Sequence, residues 1–152
     1  MKKINFLSDF SEVQNKTVLL RLDLNVPIID KIIQDYTRID LCLPFINRLI
    51  KEKAKIIIIS HLGRPRGKKV QELSLIPIYK YLKKRLKTNV FFFMGDLDDE
   101  IKKKFSYQKS GEVILIENIR FHKEEEANDQ NLGKKLSSLC DIYVNDAFSC
   151  SH

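Results

Sequence analysis

Three potential cations lie close together in one short segment of this 152-residue sequence. Residues 58–67 read IISHLGRPRG, and the apolar run from Ile56 to Ile59 gives way there to His61, Arg64 and Arg66. Glycine and proline are typical of a loop that ends a strand, but they do not account for three basic side chains. Imidazole and guanidinium groups that meet on one loop are suited to holding the oxygens of a small phosphate or carboxylate ligand.

The elements that must position such a loop follow from the apolar pattern. Continuous apolar runs without alternation are typical of strands in a parallel sheet whose two faces are both covered. Strands that alternate with helical patterns predict an α/β fold, a three-layer, Rossmann-like parallel sheet with helices on both faces. The predicted strands are Thr17–Leu22, Lys55–Ser60, Asn89–Met94, Val113–Glu117 and Asp141–Asn145, and the helical patterns cover residues 41–50, 74–86, 97–105 and 132–139.

The helix starts carry further predictions. Pro44 lies inside the first helical pattern, which predicts that this helix is kinked at Pro44 or begins there. Ser74 is a suitable N-cap for the second helix. Arg38 is predicted in the first turn of the helix that follows the first long loop, where a positive charge opposes the helix dipole by about 0.3–1 kcal/mol. A local rule that is broken without an evident structural gain indicates a functional site.

Polar side chains also follow the other predicted strands. Ligands of open parallel α/β sheets bind beyond the carboxyl ends of the strands, so these residues are expected to lie near one another. Three arginines and a histidine at one sheet edge would repel one another without an anion between them, which indicates a small, multiply charged anionic ligand. Besides Arg38, the residues in question are Asp23, Asn25, His61, Arg64, Asn118, Arg120, Asn145 and Asp146, and the third strand contributes only Gly95 and Asp96.

Composition excludes several other classes of protein. The length is that of one domain, and no apolar run approaches the roughly 20 residues that span a bilayer. Cys42, Cys140 and Cys150 match no zinc or redox spacing, which indicates reduced thiols in a cytosol. The net charge of +7 is interpreted as lysines on solvated helix faces, because no nucleic-acid-binding motif is present.

Two familiar phosphate-binding patterns are missing from the sequence. It contains neither G-x-x-x-x-G-K-[ST] nor a G-x-G-x-x-G after the first strand. The acidic run Glu124–Glu126 is interpreted as a solvated turn that leads towards the last helix, in preference to a metal site.

Five sequence motifs include most of the polar residues considered above. They are RLDLNVP (21–27), DYTRI (35–39), SHLGRPRG (60–67), ENIRFHKEEEAND (117–129) and DIYVNDAF (141–148). In their order and spacing, from near residue 17 onwards, these motifs closely resemble the N-terminal domain of the phosphoglycerate kinase family, and their combination is highly specific. Leu22 and Leu24 depart from the commoner valine and phenylalanine of that family.

The resemblance implies an enzyme of glycolysis that transfers a phosphoryl group between 1,3-bisphosphoglycerate and ADP, giving 3-phosphoglycerate and ATP. Arg38 matches the family arginine that reaches the transferring phosphoryl group, and Arg21 matches one that supports the basic patch. The implied substrate-binding residues are Asp23, Leu24, Asn25, Arg38, His61, Leu62, Gly63, Arg64 and Arg120, with Leu24 and Leu62 acting through their backbone.

The resemblance also implies an organisation for the enzyme. Residues 1–152 are expected to form a partial N-terminal substrate-binding domain that ends before a further family arginine. The C-terminal domain, which binds ATP or ADP with Mg²⁺, is expected to be absent from this chain. The full-length enzyme is expected to be a cytoplasmic monomer that binds neither nucleic acid nor membranes. Two alternatives stay open, a stand-alone small-anion-binding module and, with little support, a basic nucleic-acid-binding domain.

Overall fold

The apolar runs of the sequence form a five-stranded parallel sheet. The computed structural model describes residues 9–147, so Phe148, Cys150 and His152 lie outside the described residues. Each predicted strand is confirmed to within one residue at either end. The strands are β1 (Thr17–Arg21), β2 (Ile28–Ile29), β3 (Ile32–Ile33), β4 (Lys55–Ile59), β5 (Val90–Phe93), β6 (Val113–Ile116) and β7 (Ile142–Asn145).

The central sheet has the order β5-β6-β4-β1-β7, and all of its neighbouring strands are parallel. A separate antiparallel hairpin of β2 and β3 follows β1. Within residues 9–147, five α-helices connect or cover the strands, and together they confirm the α/β prediction. They are α1 (Thr37–Lys51), α2 (Ile76–Arg85), α3 (Ile101–Phe105), α4 (Lys123–Glu126) and α5 (Gln130–Ser138).

Both faces of the sheet are covered, which explains why its strands are continuously apolar. Ile56 and Ile58 of β4 belong to the core cluster that contains the buried residues of α1 and α2. Ile57 and Ile59 belong to a second cluster, on the opposite face, that contains Ile101 of α3 and the buried side of α5. Successive residues of a strand point to opposite faces, so one run of isoleucines supplies both cores.

The helix starts differ in detail from their predictions. Helix α1 begins at Thr37 and continues through Pro44, so the alternative in which it begins at Pro44 is wrong. Pro44 is exposed, and water can therefore reach the Asp40 carbonyl that lacks its usual N–H donor. Helix α2 begins at Ile76, yet Ser74 Oγ still accepts a hydrogen bond from the Ile76 N–H (3.2 Å).

Three further observations complete the fold. Cys42 and Cys140 are free thiols. Lysines of the helices, such as Lys83 and Lys102, are exposed, in agreement with a solvated basic surface. No helix within residues 9–147 combines the length and the apolar character needed to cross a membrane.

Candidate functional site

A cleft of about 710 Å³ opens at the carboxyl ends of the central strands. Its walls are the loops after β1, β4 and β6, the start of α1 and the short helix α4. Seven of the residues predicted for substrate binding line this cleft, so the fold brings them together from distant parts of the sequence. The lining residues are Arg21, Asp23, Asn25, Arg38, His61, Gly63, Arg64, Arg120, Glu125, Glu126 and Asn128.

The loop after β1 holds Arg38 at the mouth of the cleft. Arg38 is the second residue of α1, and its Nη1 donates a 2.7 Å hydrogen bond to Asp23 Oδ2. The other carboxylate oxygen, Asp23 Oδ1, accepts a hydrogen bond from the Asn25 N–H (3.2 Å). The Arg38 side chain is 56% exposed, so Asp23 partly neutralises a guanidinium that solvent still reaches.

The loop after β4 is fixed to the loop after β1 by a side-chain contact. Asn25 Oδ1 accepts a 3.1 Å hydrogen bond from the N–H of Gly63. Gly63 has a φ of +61°, a backbone conformation that favours glycine, and a Cβ built there would lie 2.7 Å from Leu73 Cδ2, so a larger residue would also displace the Leu73 side chain. Arg64, the next residue, is exposed and forms no ion pair with any other residue in the range 9–147. Its guanidinium is therefore available to a ligand.

His61 contributes hydrogen-bonding groups more than charge. It is 6% exposed, and burial, followed by the nearby Arg120 guanidinium, lowers its pKa from the ordinary value of 6.5. At neutral pH the imidazole is therefore predominantly uncharged. Of the three basic residues predicted on this loop, His61 and Arg64 line the cleft and Arg66 does not, so Arg64 is the only arginine of this loop among the lining residues.

The loop after β6 places Arg120 next to a buried carboxylate. Arg120 Nε donates to Glu125 Oε2 (3.2 Å), and its Nη1 lies 3.4 Å from the Gly63 carbonyl oxygen. Arg21, the last residue of β1, donates from Nη2 to the other oxygen of the same carboxylate, Glu125 Oε1 (2.6 Å). Both arginine side chains are 18% exposed and Glu125 is 10% exposed, so this three-residue cluster is largely shielded from solvent.

Comparison with known proteins decides the family. The family model described as phosphoglycerate kinase matches residues 7–152. The chain belongs to the phosphoglycerate kinase family. A relative named phosphoglycerate kinase from Wolbachia pipientis wMel is 50% identical over 141 residues, which are 93% of this chain and 35% of the relative. Another from Pseudothermotoga lettingae is 44% identical and covers 100% of this chain and 38% of its own length.

A solved structure of a phosphoglycerate kinase agrees with the fold. The enzyme from Coxiella burnetii superposes with a TM-score of 0.82 and 42% sequence identity over 92% of this chain and 34% of that protein. This chain therefore spans about a third of the length of the family members that it matches.

The interpretation of Glu124–Glu126 as a solvated turn is wrong for Glu125. These residues belong to α4, and the Glu125 carboxylate is hydrogen-bonded to two arginines of the cleft. The expectation that the arginines repel one another without an anion also needs correction, because Asp23 and Glu125 supply negative charge from within the protein. The sequence signal was an acidic run that begins four residues after Arg120, but such runs are usually solvated.

Leu24 and Leu62 lie behind the cleft and do not line it. Both side chains are buried. The Leu24 N–H donates to Ser60 Oγ (3.0 Å), and the Leu62 N–H donates to Asn118 Oδ1 (3.3 Å). These backbone groups are engaged within the protein and help to shape the two loops that line the cleft. Asn118, Asn145 and Asp146, which also follow strands, do not line the cleft, and neither does Arg66.

Asn118 connects the loops after β4 and β6. It is completely buried, and its Nδ2 donates to the carbonyl oxygens of Leu62 (2.8 Å) and Leu73 (2.9 Å). Its Oδ1 also accepts from the Arg120 N–H (3.1 Å). One amide side chain therefore fixes the loop of His61 against the loop of Arg120.

Replacement of this amide is expected to destabilise the fold. Asn118→Asp keeps one acceptor but places a carboxylate oxygen against two buried carbonyls, and we expect a loss of about 3 kcal/mol or more. Denaturant unfolding measures the change. The exposed Asn131→Asp is a matched control that should change stability by less than about 0.5 kcal/mol. A loss below about 1 kcal/mol for Asn118→Asp would contradict the role of Asn118.

Proposed function

We propose that this chain supplies the phosphoglycerate-binding part of a phosphoglycerate kinase. The reaction is reversible phosphoryl transfer between 1,3-bisphosphoglycerate and ADP, giving 3-phosphoglycerate and ATP. The observation that carries the proposal is the single cleft in which Arg38, Arg64 and Arg120 meet in a member of this family. Four arginines and three carboxylates line this cleft, which favours a ligand with both anionic and hydroxyl groups.

The arginines suit the anionic ends of such a ligand. Guanidinium groups bind phosphate and carboxylate oxygens with two parallel hydrogen bonds, and Arg64 is unpaired among the residues that the structure describes. Arg120 is held through Nε and Nη1, so its Nη2 can face a ligand. We assign both arginines to the anionic groups of phosphoglycerate.

The carboxylate of Asp23 suits a different part of the substrate. A carboxylate accepts hydrogen bonds and repels phosphate, so the hydroxyl group of phosphoglycerate is the partner that Asp23 favours. The Asn25 carbonyl oxygen is occupied by Gly63, which leaves its NH₂ group as a donor towards the ligand. His61 is largely neutral and acts in the proposal as a hydrogen-bonding group, not as a general base.

The proposed chemical step requires a positive charge next to the transferring phosphoryl group. Phosphoryl transfer depends on in-line placement of donor and acceptor and on cations that stabilise the equatorial oxygens of the transferring group. An acyl phosphate is already activated, so the step needs no covalent enzyme intermediate. Arg38 is the proposed catalytic residue, because it stands at the mouth of the cleft on an exposed, singly anchored side chain.

The remaining parts of the proposal concern what this chain does not bind. Among residues 9–147 no group of three or more His, Cys, Asp or Glu side chains is arranged to hold a metal ion. We propose that Mg²⁺ arrives with ATP or ADP as part of the nucleotide substrate, on a nucleotide-binding domain outside this chain. The complete enzyme is proposed to act as a monomer in the cytoplasm.

Calorimetry with 3-phosphoglycerate tests the binding assignment. Arg120→Ala in the 152-residue chain is expected to weaken binding by about 1.5–3 kcal/mol, the range for a hydrogen bond to a charged group. Arg66→Ala removes an equal charge from an exposed residue of the loop after β4 that does not itself line the cleft, and it should change affinity by less than about twofold. Equal losses of affinity in both variants would indicate non-specific attraction between the basic protein and the anionic ligand. Unchanged affinity in Arg120→Ala would remove this residue from the site.

A further inference from the structure

We infer that Glu125 is a positioning residue that sets both the orientation of two cleft arginines and the selectivity of the cleft between anions. The inference rests on the proposed function, because it concerns the same site and the phosphoglycerate ligand. It assigns a role to Glu125, a residue of the acidic run that is not among the proposed substrate-binding residues.

The first support is the geometry of the carboxylate. Each oxygen of Glu125 accepts from a different arginine, at 2.6 Å from Arg21 Nη2 and 3.2 Å from Arg120 Nε. The two arginines come from the end of β1 and from the turn after β6, and Arg21 and Glu125 are 104 positions apart in the sequence. A carboxylate that accepts from Nε fixes the plane of a guanidinium and turns its remaining donors away from the contact.

The second support is burial. Glu125 is 10% exposed, and a carboxylate in such a place is stable only with charged or hydrogen-bonding partners. Its neighbour Glu126 is 39% exposed and lies 3.8 Å from Arg120 Nε, beyond hydrogen-bonding distance. The acidic run therefore contains one carboxylate that is built into the cleft and one that remains at its rim.

The third support is the charge that Glu125 places beside the ligand. A fixed negative charge next to Arg21 and Arg120 weakens the attraction of the cleft for any anion. A ligand whose groups match the fixed arginines recovers this loss through well-placed hydrogen bonds, whereas a small anion without such a match does not. Glu125 therefore lowers affinity for inorganic phosphate more than it lowers affinity for phosphoglycerate.

Calorimetric titrations with inorganic phosphate and with 3-phosphoglycerate test the inference on the 152-residue chain. Glu125→Gln is expected to tighten the binding of inorganic phosphate by about fivefold and to leave that of 3-phosphoglycerate nearly unchanged. The dissociation constant for phosphate divided by that for 3-phosphoglycerate should therefore fall by about fivefold. Glu125→Asp keeps the charge but is too short to reach both arginines. It should leave phosphate affinity within about twofold of the original chain and weaken phosphoglycerate binding by about fivefold.

Glu124→Gln is the matched control, because it removes the same charge from the same short helix without lining the cleft. It should leave both dissociation constants within about twofold. A merely structural role of Glu125 would weaken both ligands in proportion and leave their ratio unchanged, and that result would overturn the inference. If neither Glu125 variant changes the dissociation constant of either ligand, that result would overturn the inference as well.

The outcomes also separate this inference from the proposed function. If Glu125→Gln tightens phosphate binding but neither chain binds phosphoglycerate, the proposed function fails and the control of the arginines by Glu125 stands. If phosphoglycerate binds and the ratio of dissociation constants does not respond to Glu125, the proposed function stands and the inference fails. Should Glu125→Gln not fold, the Glu125→Asp titration decides by itself.

Discussion

Joined in register to the remaining two thirds of a phosphoglycerate kinase, this chain is expected to support phosphoryl transfer, and alone it is expected to produce no ATP. The cleft holds the arginines that we propose for phosphoglycerate binding, but transfer also requires a nucleotide placed in line with this substrate. Well-oriented placement of two reactants accounts for about 7–11 kcal/mol of a barrier, or a factor of about 10⁵–10⁸ in rate. A coupled assay with 1,3-bisphosphoglycerate, ADP and Mg²⁺ compares the two proteins.

The Wolbachia pipientis wMel relative offers the partner for this experiment, since it is 50% identical over the 141 matching residues. Replacing its matching segment with this chain gives the joined enzyme, and the intact relative is the positive control. Turnover by the 152-residue chain above a heat-killed control, in material free of host enzyme, would disprove the first expectation. A folded but inactive joined enzyme would disprove the proposal that this chain supplies the phosphoglycerate-binding part.

In the joined enzyme, Arg38→Ala is expected to lower kcat by about 10³-fold while changing the binding of phosphoglycerate much less. A positive charge beside the transferring group is needed most in the transition state, when that group lies between the acyl and nucleotide oxygens. The structure supports this division of labour, since Arg38 stands at the edge of the site and is 56% exposed, whereas Arg120 is 18% exposed and held in place. Steady-state kinetics and calorimetry measure the two effects separately.

Arg48→Ala is the matched control for this variant. Arg48 lies on the same helix, is 53% exposed, and pairs with Glu52 at 3.0 Å, so it resembles Arg38 in exposure and pairing but lies outside the cleft. Its replacement should leave kcat within about twofold. A change in Arg38→Ala that is confined to KM would show uniform binding and would refute a catalytic role for Arg38.

The sheet could be predicted from the sequence because strands that are buried on both faces are continuously apolar, which is a simple pattern to recognise. Runs such as Ile56–Ile59 are apolar at every position. The β2–β3 hairpin left no such pattern. Its two-residue turn, Asp30 and Lys31, has φ values of 49° and 65°, a conformation that Asn-Gly or Asp-Gly usually marks in a sequence. Without a glycine at Lys31, the pattern gives no hairpin signal.

The basic residues of the site could be predicted from the sequence, whereas the role of the carboxylate Glu125 could not. Arginines in loops after strands have few structural reasons to be there, so Arg64 and Arg120 stand out in the sequence. A carboxylate such as Glu125 is indistinguishable from a solvated one until the fold shows what lies opposite. The contact between Arg21 and Glu125 joins residues 104 positions apart, and no local pattern records it.

The position of β1 in the sheet has a consequence for the order of assembly. This first strand of the sheet lies between β4 and β7, and the Thr17 N–H bonds to Asp141, 124 residues further along the chain. One edge of β1 therefore lacks its partner until nearly all of the described chain has been synthesised. Contacts over such separations slow folding, and an open strand edge pairs readily with other chains. We therefore expect the nascent protein to be most prone to aggregation in the interval before β7 adds to the sheet.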